Sequence, residues 1–242
     1  MASALCLHRE TSRVSLADLL ANVPPPNTDT HYPIAHGTLY RAVVNSLGFH
    51  GQEIASEQHA ITPDGSRYFG LLSLAQGAED YCTTIGLRNS HDKRFPASLC
   101  VGSRVFVCDN LAFSAEVVIS RRHTRRIMDD LPMLVSNAVG RLGSAIEKQH
   151  EQVTAYKQIG LTNDRARSLL MESMKLGVLN CTQLPAALAA WESPAYEQFK
   201  DPTIWRLFNA ITEVGKKWAA PDVVARTNKL HGLCNLEANF AV

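Results

Sequence analysis

The densest group of side chains able to do chemistry is Gly86-Leu87-Arg88-Asn89-Ser90-His91-Asp92-Lys93, followed at once by Arg94. Asn89 and Ser90 offer hydrogen bonds, and His91 beside Asp92 offers a proton acceptor near neutral pH. Arg88, Lys93 and Arg94 add positive charge. Set in a loop, these residues could seat a phosphate or position a general base for metal-assisted hydrolysis. The same composition also suits a plain polar hairpin tip. A second group is the basic run Arg121-Arg122-His123-Thr124-Arg125-Arg126. Each cation that neutralises a phosphate releases counterions and makes binding salt-dependent. The competing reading is a solvated corner between a strand and a helix. Arg104 lies between the two groups, on an extended run.

These residues give the chain a local field that its total charge hides. Across 242 residues, 24 Lys and Arg stand against 23 Asp and Glu, for a net charge of +1. Between Cys82 and Arg126 the positive residues are Arg88, Lys93, Arg94, Arg104, Arg121, Arg122, Arg125 and Arg126, and the acids are only Asp92, Asp109 and Glu116. An anionic partner responds to that excess rather than to the total. Aromatic rings for base stacking would come from Tyr68, Phe69, Tyr81, Phe95, Phe106 and Phe113, most of them better suited to a core.

The elements that must position these groups follow from periodicity. Two extended runs at 53–61 and 67–75 flank Thr62-Pro63-Asp64-Gly65-Ser66, whose Pro-Asp-Gly chemistry predicts a hairpin. Further runs cover 82–88, 98–108 and 111–120. In 98–108, Leu99, Val101, Val105 and Val107 share one face, while Arg104 and Phe106 fall on the other. If 98–108 pairs with 111–120, Glu116 could stand across from Arg104 as an ion-pair partner. A short helix is expected at 38–47, stopped by Gly48. One long helix is expected from about Arg125, or from Asp129-Asp130 given Pro132, to Lys157, on an apolar stripe through Leu131, Val135, Ala138, Leu142, Ile146 and Val153. Helices then follow from Thr162, over 203–218 and after Pro221. The expectation is an α+β fold: an antiparallel sheet of about five strands backed by a long helix, with a helical C-terminal part. Its divisions are an N-terminal arm at 1–36, broken by Pro24-Pro25-Pro26, an α+β core at 37–158 and a helical region at 159–242.

Several functions find no support. No phosphate-binding loop, dinucleotide glycine set or nucleophile elbow is present. Cys6, Cys82, Cys100, Cys108, Cys181 and Cys234 form no CxxC pair and suggest neither zinc nor disulfides, and no HxH, HExxH or HxxxH pair marks a metal site. No cofactor is expected. The chain shows no run long enough to span a membrane and no secretory leader, so a cytoplasmic protein is expected.

Three stretches carry a resemblance: GLRNSHDK at 86–93, VGSRVFVCDNLAFSAEVVISRRHT at 101–124, and LFNAITEVGKK with RTNKLHGL toward the C-terminus. They are similar to the phage/plasmid-like protein family, a domain of unknown function, over roughly residues 36–235. The resemblance implies carriage on phages, prophages or conjugative plasmids, elements whose genes often serve strand annealing, single-strand protection or evasion of restriction. It brings no catalytic residues. The layout of strands followed by a helix is compatible with single-strand-annealing recombinases, which hold the backbone in a basic groove.

The leading expectation is thus a DNA-binding protein that favours single strands, with Arg88, Lys93, Arg94, Arg104, Arg121, Arg122, Arg125 and Arg126 on phosphates, and with Asn89, Ser90, His91 and His123 nearby. The alternatives are a hydrolase or nuclease using His91 and Asp92, and an interaction protein that blocks a host defence or repair factor. The arm would suit contact with a second copy of the chain.

Overall fold

In the computed structural model, residues 11–77, 81–105, 111–218 and 220–240 are described, without the side chains of 76–77, 104–105, 111, 113–118 and 220–221. Six strands form one antiparallel sheet in sequence order. They are β1 (Ser12–Val14), β2 (Ile54–Ile61), β3 (Arg67–Gly77), β4 (Tyr81–Ser90), β5 (Ala97–Val105) and β6 (Leu111–Arg121). The sixth strand comes from the arm: β1 pairs with the end of β2, Val14 opposite His59. The hairpin between β2 and β3 turns through Thr62–Ser66, with Gly65 at φ +71° and Asp64 accepting from the Thr62 hydroxyl and the Ser66 N–H.

Alternation along the strands sends one set of side chains to a helix-covered face. Ile85 and Leu87 of β4, Leu99 and Val101 of β5, and Tyr68 and Leu72 of β3 join one core. That core is closed by α1 (Leu16–Ala21), α2 (His36–Phe49) and α3 (Ile127–Gly140). Tyr68 fits flat along the sheet because position 70 is glycine: a Cβ there would stand 2.1 Å from the Tyr68 hydroxyl.

The helical backing comes in two pieces instead of one. α3 ends at Gly140, Arg141 interrupts the helix, and α4 (Leu142–Gln158) follows. Gly140 and Gly143 flank the break, and glycine costs a helix about 1 kcal/mol relative to alanine. Downstream lie α5 (Asn163–Lys175), α6 (Leu184–Glu192), α7 (Ile204–Gly215) and α8 (Ala220–Ala238). Thr162 caps α5 by accepting from Arg165 N–H, and Thr203 caps α7 in the same way from Arg206 N–H. Their apolar faces build a second core around Trp191, Trp205, Phe208 and Ile211.

α4 serves both cores. Leu142 and Ala145 belong to the sheet-side core, and Val153 and Tyr156 to the helical one. Between them sits Gln149, 3% exposed, with neither amide atom hydrogen-bonded. Among the described residues no helix is long and apolar enough to cross a membrane.

Candidate functional site

The register brings the two basic groups to one end of the sheet. Arg88 pairs with Ser98 and Ser98 with Ser120, while Ala97 stands opposite Arg121. The turn from His91 to Pro96 therefore lies beside the corner from Arg122 to Arg126, and the turn between β2 and β3 emerges at the same end, with Arg67 paired to Ser90. Lys93 holds a left-handed backbone at φ 65° at the tip of its turn.

Charges at this end fall into two sets. Arg67 donates to Asp92 at 2.7 Å, and Arg121 is paired with Asp130 in the first turn of α3. Burial raises the Asp92 carboxyl, but hydrogen bonds from Ser90 and Arg67 outweigh it and hold the group below its ordinary range. Lys93, Arg94, Arg122, Arg125 and Arg126 are exposed, and among the described residues none of them has an ion-pair partner. Arg88 is half-buried, its guanidinium 5.3 Å over the Phe95 ring.

Arg104 does not join them. Its backbone pairs with Cys82 and Leu111, six residues along β5 from Ser98, which is about 20 Å at the rise of a strand. A register shift in β6 also places Leu111 opposite Arg104, so Glu116 is not its cross-strand neighbour. The side chains of both Arg104 and Glu116 lie outside the described set. Of the candidate stacking rings, Tyr68, Phe69, Tyr81 and Phe95 are buried, and those of Phe106 and Phe113 are not among the described side chains.

Asn89, Ser90, His91 and His123 take a different part from the cations. Asn89 and Ser90 close β4 rather than opening a loop, and both are fully buried. Their polar groups survive burial because each residue has partners: the arm supplies those of Asn89, and Asp92 with the Arg94 N–H supplies those of Ser90. Residues 28–36 cross this end of the sheet, tied there by a dense set of hydrogen bonds. Tyr32 N–H donates to His123 O at 2.9 Å, and Ile34 N–H donates to His123 Nδ1 at 3.2 Å. The Ile34 carbonyl accepts from Asn89 Nδ2 at 3.0 Å and from His91 Nε2 at 2.9 Å. His31 Nε2 donates to His91 O at 2.9 Å. Asn89 Nδ2 also donates to His36 Nδ1 at 2.9 Å, while His36 Nε2 donates to Gly65 O at 3.0 Å.

The imidazoles are in contact with one another. His36 and His91 stack with centroids 4.0 Å apart and planes 7° off parallel, and His31 lies 5.2 Å from His123. Tyr68 stacks on His36 at 5.5 Å and hydrogen-bonds His59 Nδ1 at 3.1 Å. His59 in turn stands 3.6 Å from Glu57, which accepts from Tyr40. Burial, then the neighbouring His91, lowers His36 to about 3. Burial, then His31 and His91, lowers His123 to about 4. His91 is lowered by burial despite its bond to the Ile34 carbonyl. Among the described residues, no group of three or more His, Cys, Asp and Glu could hold a metal ion. His91 and Asp92, adjacent in sequence, are engaged in separate contacts, one with the arm and one with Arg67.

The sequence reading missed His31 and His36. Their only local sign is a histidine at each end of His31-Tyr32-Pro33-Ile34-Ala35-His36, an apolar-centred stretch that follows the polar Asn27-Thr28-Asp29-Thr30.

Fold and site together define an α+β protein: an open antiparallel sheet with a cationic end, and a neutral histidine cluster behind it. The family model described as Domain of unknown function (DUF932) matches residues 31–235, and the chain belongs to that family. No curated protein and no solved structure matches it.

Proposed function

We propose that the chain binds nucleic acid through the basic end of its sheet, in the first place single-stranded DNA of a mobile element. One observation carries this reading: five exposed cations, Lys93, Arg94, Arg122, Arg125 and Arg126, stand on two adjacent connections with no ion-pair partner among the described residues. Like charges gathered without acids repel one another, and a polyanion relieves that repulsion. The connections spring from paired strands and from the start of a helix, so the charges sit on a fixed frame. Arginine's planar fork suits bidentate contact with phosphate oxygens.

The contact set is narrower than the residue types alone suggest. Asn89, Ser90, His91 and His123 are committed to the arm and to Asp92, and Arg121 to Asp130. With Phe95 already covered by Arg88 and Tyr68, Phe69 and Tyr81 buried, the described candidate rings are not free for base stacking, which favours backbone contact with little base discrimination. The resemblance to phage- and plasmid-borne proteins supports a mobile-element DNA as the polyanion.

Fluorescence polarisation with a labelled single-stranded oligonucleotide tests the reading. Five phosphate contacts give a salt slope near −3.5 on logarithmic axes, so raising salt from 50 to 200 mM weakens binding roughly a hundredfold. Absence of binding at the lower salt, or a slope near zero, overturns it.

A further inference from the structure

We propose that residues 28–35 are latched to the sheet by an uncharged histidine cluster, and that protonation of this cluster releases the arm as the pH falls below neutrality. The latch does not depend on what the basic end binds.

The geometry carries it. Two ring nitrogens act as acceptors: His123 Nδ1 takes the Ile34 N–H, and His36 Nδ1 takes the Asn89 amide. The proton of each ring is therefore on Nε2. A second proton would turn each acceptor into a donor facing a donor, so the bond that fixes the arm becomes a repulsive contact. His36 and His91 lie face to face at 4.0 Å, where two positive rings repel strongly in a site closed to water. His123 Nε2 lacks a hydrogen-bond partner, and burial outweighs the Tyr32 backbone contact that would favour a charged ring.

Among the described residues the acids nearest the cluster are engaged by other groups, and Asp29, on the arm itself, is exposed to solvent. From the turn after β4, Asp92 is engaged by Arg67, Ser90 and the Arg94 N–H. From the turn between β2 and β3, Asp64 is engaged by Thr62 and Ser66. From α3, Asp130 is paired with Arg121 of β6. Glu57 of β2 is reached only through Tyr68 and His59 and already accepts from Tyr40. The exposed cations beside the cluster, Arg122 and Arg125, oppose further positive charge.

The direction of the pH effect follows from linkage. A histidine held neutral has a depressed value in the latched state and an ordinary value of 6.5 once released. Above 6.5 neither state takes up a proton, and the latch holds. Below it the released state binds protons that the latched state refuses, down to about 4 for His123 and about 3 for His36. Each histidine then shifts the equilibrium about tenfold per pH unit, so the pair shifts it about a hundredfold between pH 7.5 and 5.5.

Amide hydrogen exchange followed by NMR on the full chain reads the latch directly. The Tyr32 and Ile34 N–H groups both bond to His123 and report on the arm. Ile85, mid-sheet in β4, reports on the fold. From pH 7.5 to 5.5 the protection factors of Tyr32 and Ile34 are expected to fall about a hundredfold, with that of Ile85 changing far less. Unchanged protection at Tyr32 and Ile34, or an equal fall at Ile85, overturns the proposal. The variant H36Q/H91Q/H123N keeps comparable polar atoms but cannot charge, and it should abolish the pH dependence; a wild-type response in it would be fatal. Ring-proton titration of the wild-type protein gives an answer even if that variant fails to fold. His36 or His123 titrating near 6.5 in the folded chain rules the latch out.

Discussion

Clusters of cations keep different company in the two halves of this molecule. In the helical half Arg165 is bound by Glu237 and Glu172, Arg167 by Glu192 and Asp164, Lys200 by Glu197, Lys216 by Glu213, and Arg226 by Asp222. At the basic end of the sheet Lys93, Arg94, Arg122, Arg125 and Arg126 have no ion-pair partner among the described residues. Exposed pairs contribute at most about 1 kcal/mol each, so the first arrangement is a modest aid to a helical surface. The side-chain charges of the second repel one another. Residue type alone does not separate a surface that finishes a fold from one that awaits a partner; the company each charge keeps does.

The comparison can be broken or sharpened by experiment, and the largest effect should come from the helical core. Trp191 is fully buried, its indole N–H bonded to Asn163 and its ring covered by the Arg206 guanidinium at 4.7 Å. Trp191→Ala should cost about 3–5 kcal/mol in chemical denaturation. The folded fraction should still bind oligonucleotide as tightly as the wild type.

The reverse pattern is expected of R122E/R125E/R126E. Single-strand affinity at 50 mM salt should fall by about a hundredfold or more, while stability moves by no more than about 1 kcal/mol. Equal losses of binding and stability would show that the corner is structural and would remove the contrast.

A smaller effect separates the histidines of the two halves. His231 is buried in the helical core and lowered by burial to about 4. Its ordinary value of 6.5 returns on unfolding, so its neutral form favours the fold above that pH and the advantage erodes as pH falls toward 4. Going from pH 7.5 to 5.5, this one group should remove about 1.4 kcal/mol from global stability, measured by urea denaturation against His231→Asn. The cluster at the arm should instead register in local exchange. The smallest change is expected for Arg165→Ala, under about 1 kcal/mol, with no change in nucleic-acid affinity.

Much of the sheet was legible because a two-residue period is a strong signal. Leu99 and Val101 fall on the core face as their spacing requires, and Thr62–Ser66 turns where its Pro-Asp-Gly predicts. The break at Arg141 was hidden because Leu142 and Ala145 keep the apolar stripe running across it; Gly140 and Gly143 were its only sign. Asn89 looked like a loop residue because local composition cannot show a partner more than 50 positions away. Its burial is matched by the arm, whose two histidines sat in a stretch that carried no periodic signal. Arg104 was grouped with the other cations by sequence proximity, but position along β5 separates them, and the shift in β6 cannot be read from alternation. The two basic turns were legible as types and spacing; that they share one end of the sheet is a matter of strand order.

Gln149 has a consequence for how the molecule comes apart. Two apolar cores meet on one helix, and at their meeting point an amide is closed off from water with both ends unsatisfied, each costing about 1–3 kcal/mol. Tyr81 of β4 and Ala112 of β6 also join the helical core, so the two halves are held together by the sheet as well as by α4. Weakness is therefore local to the helix: the amides of α4 around residue 149 are expected to open before those in the apolar stretches on either side of it.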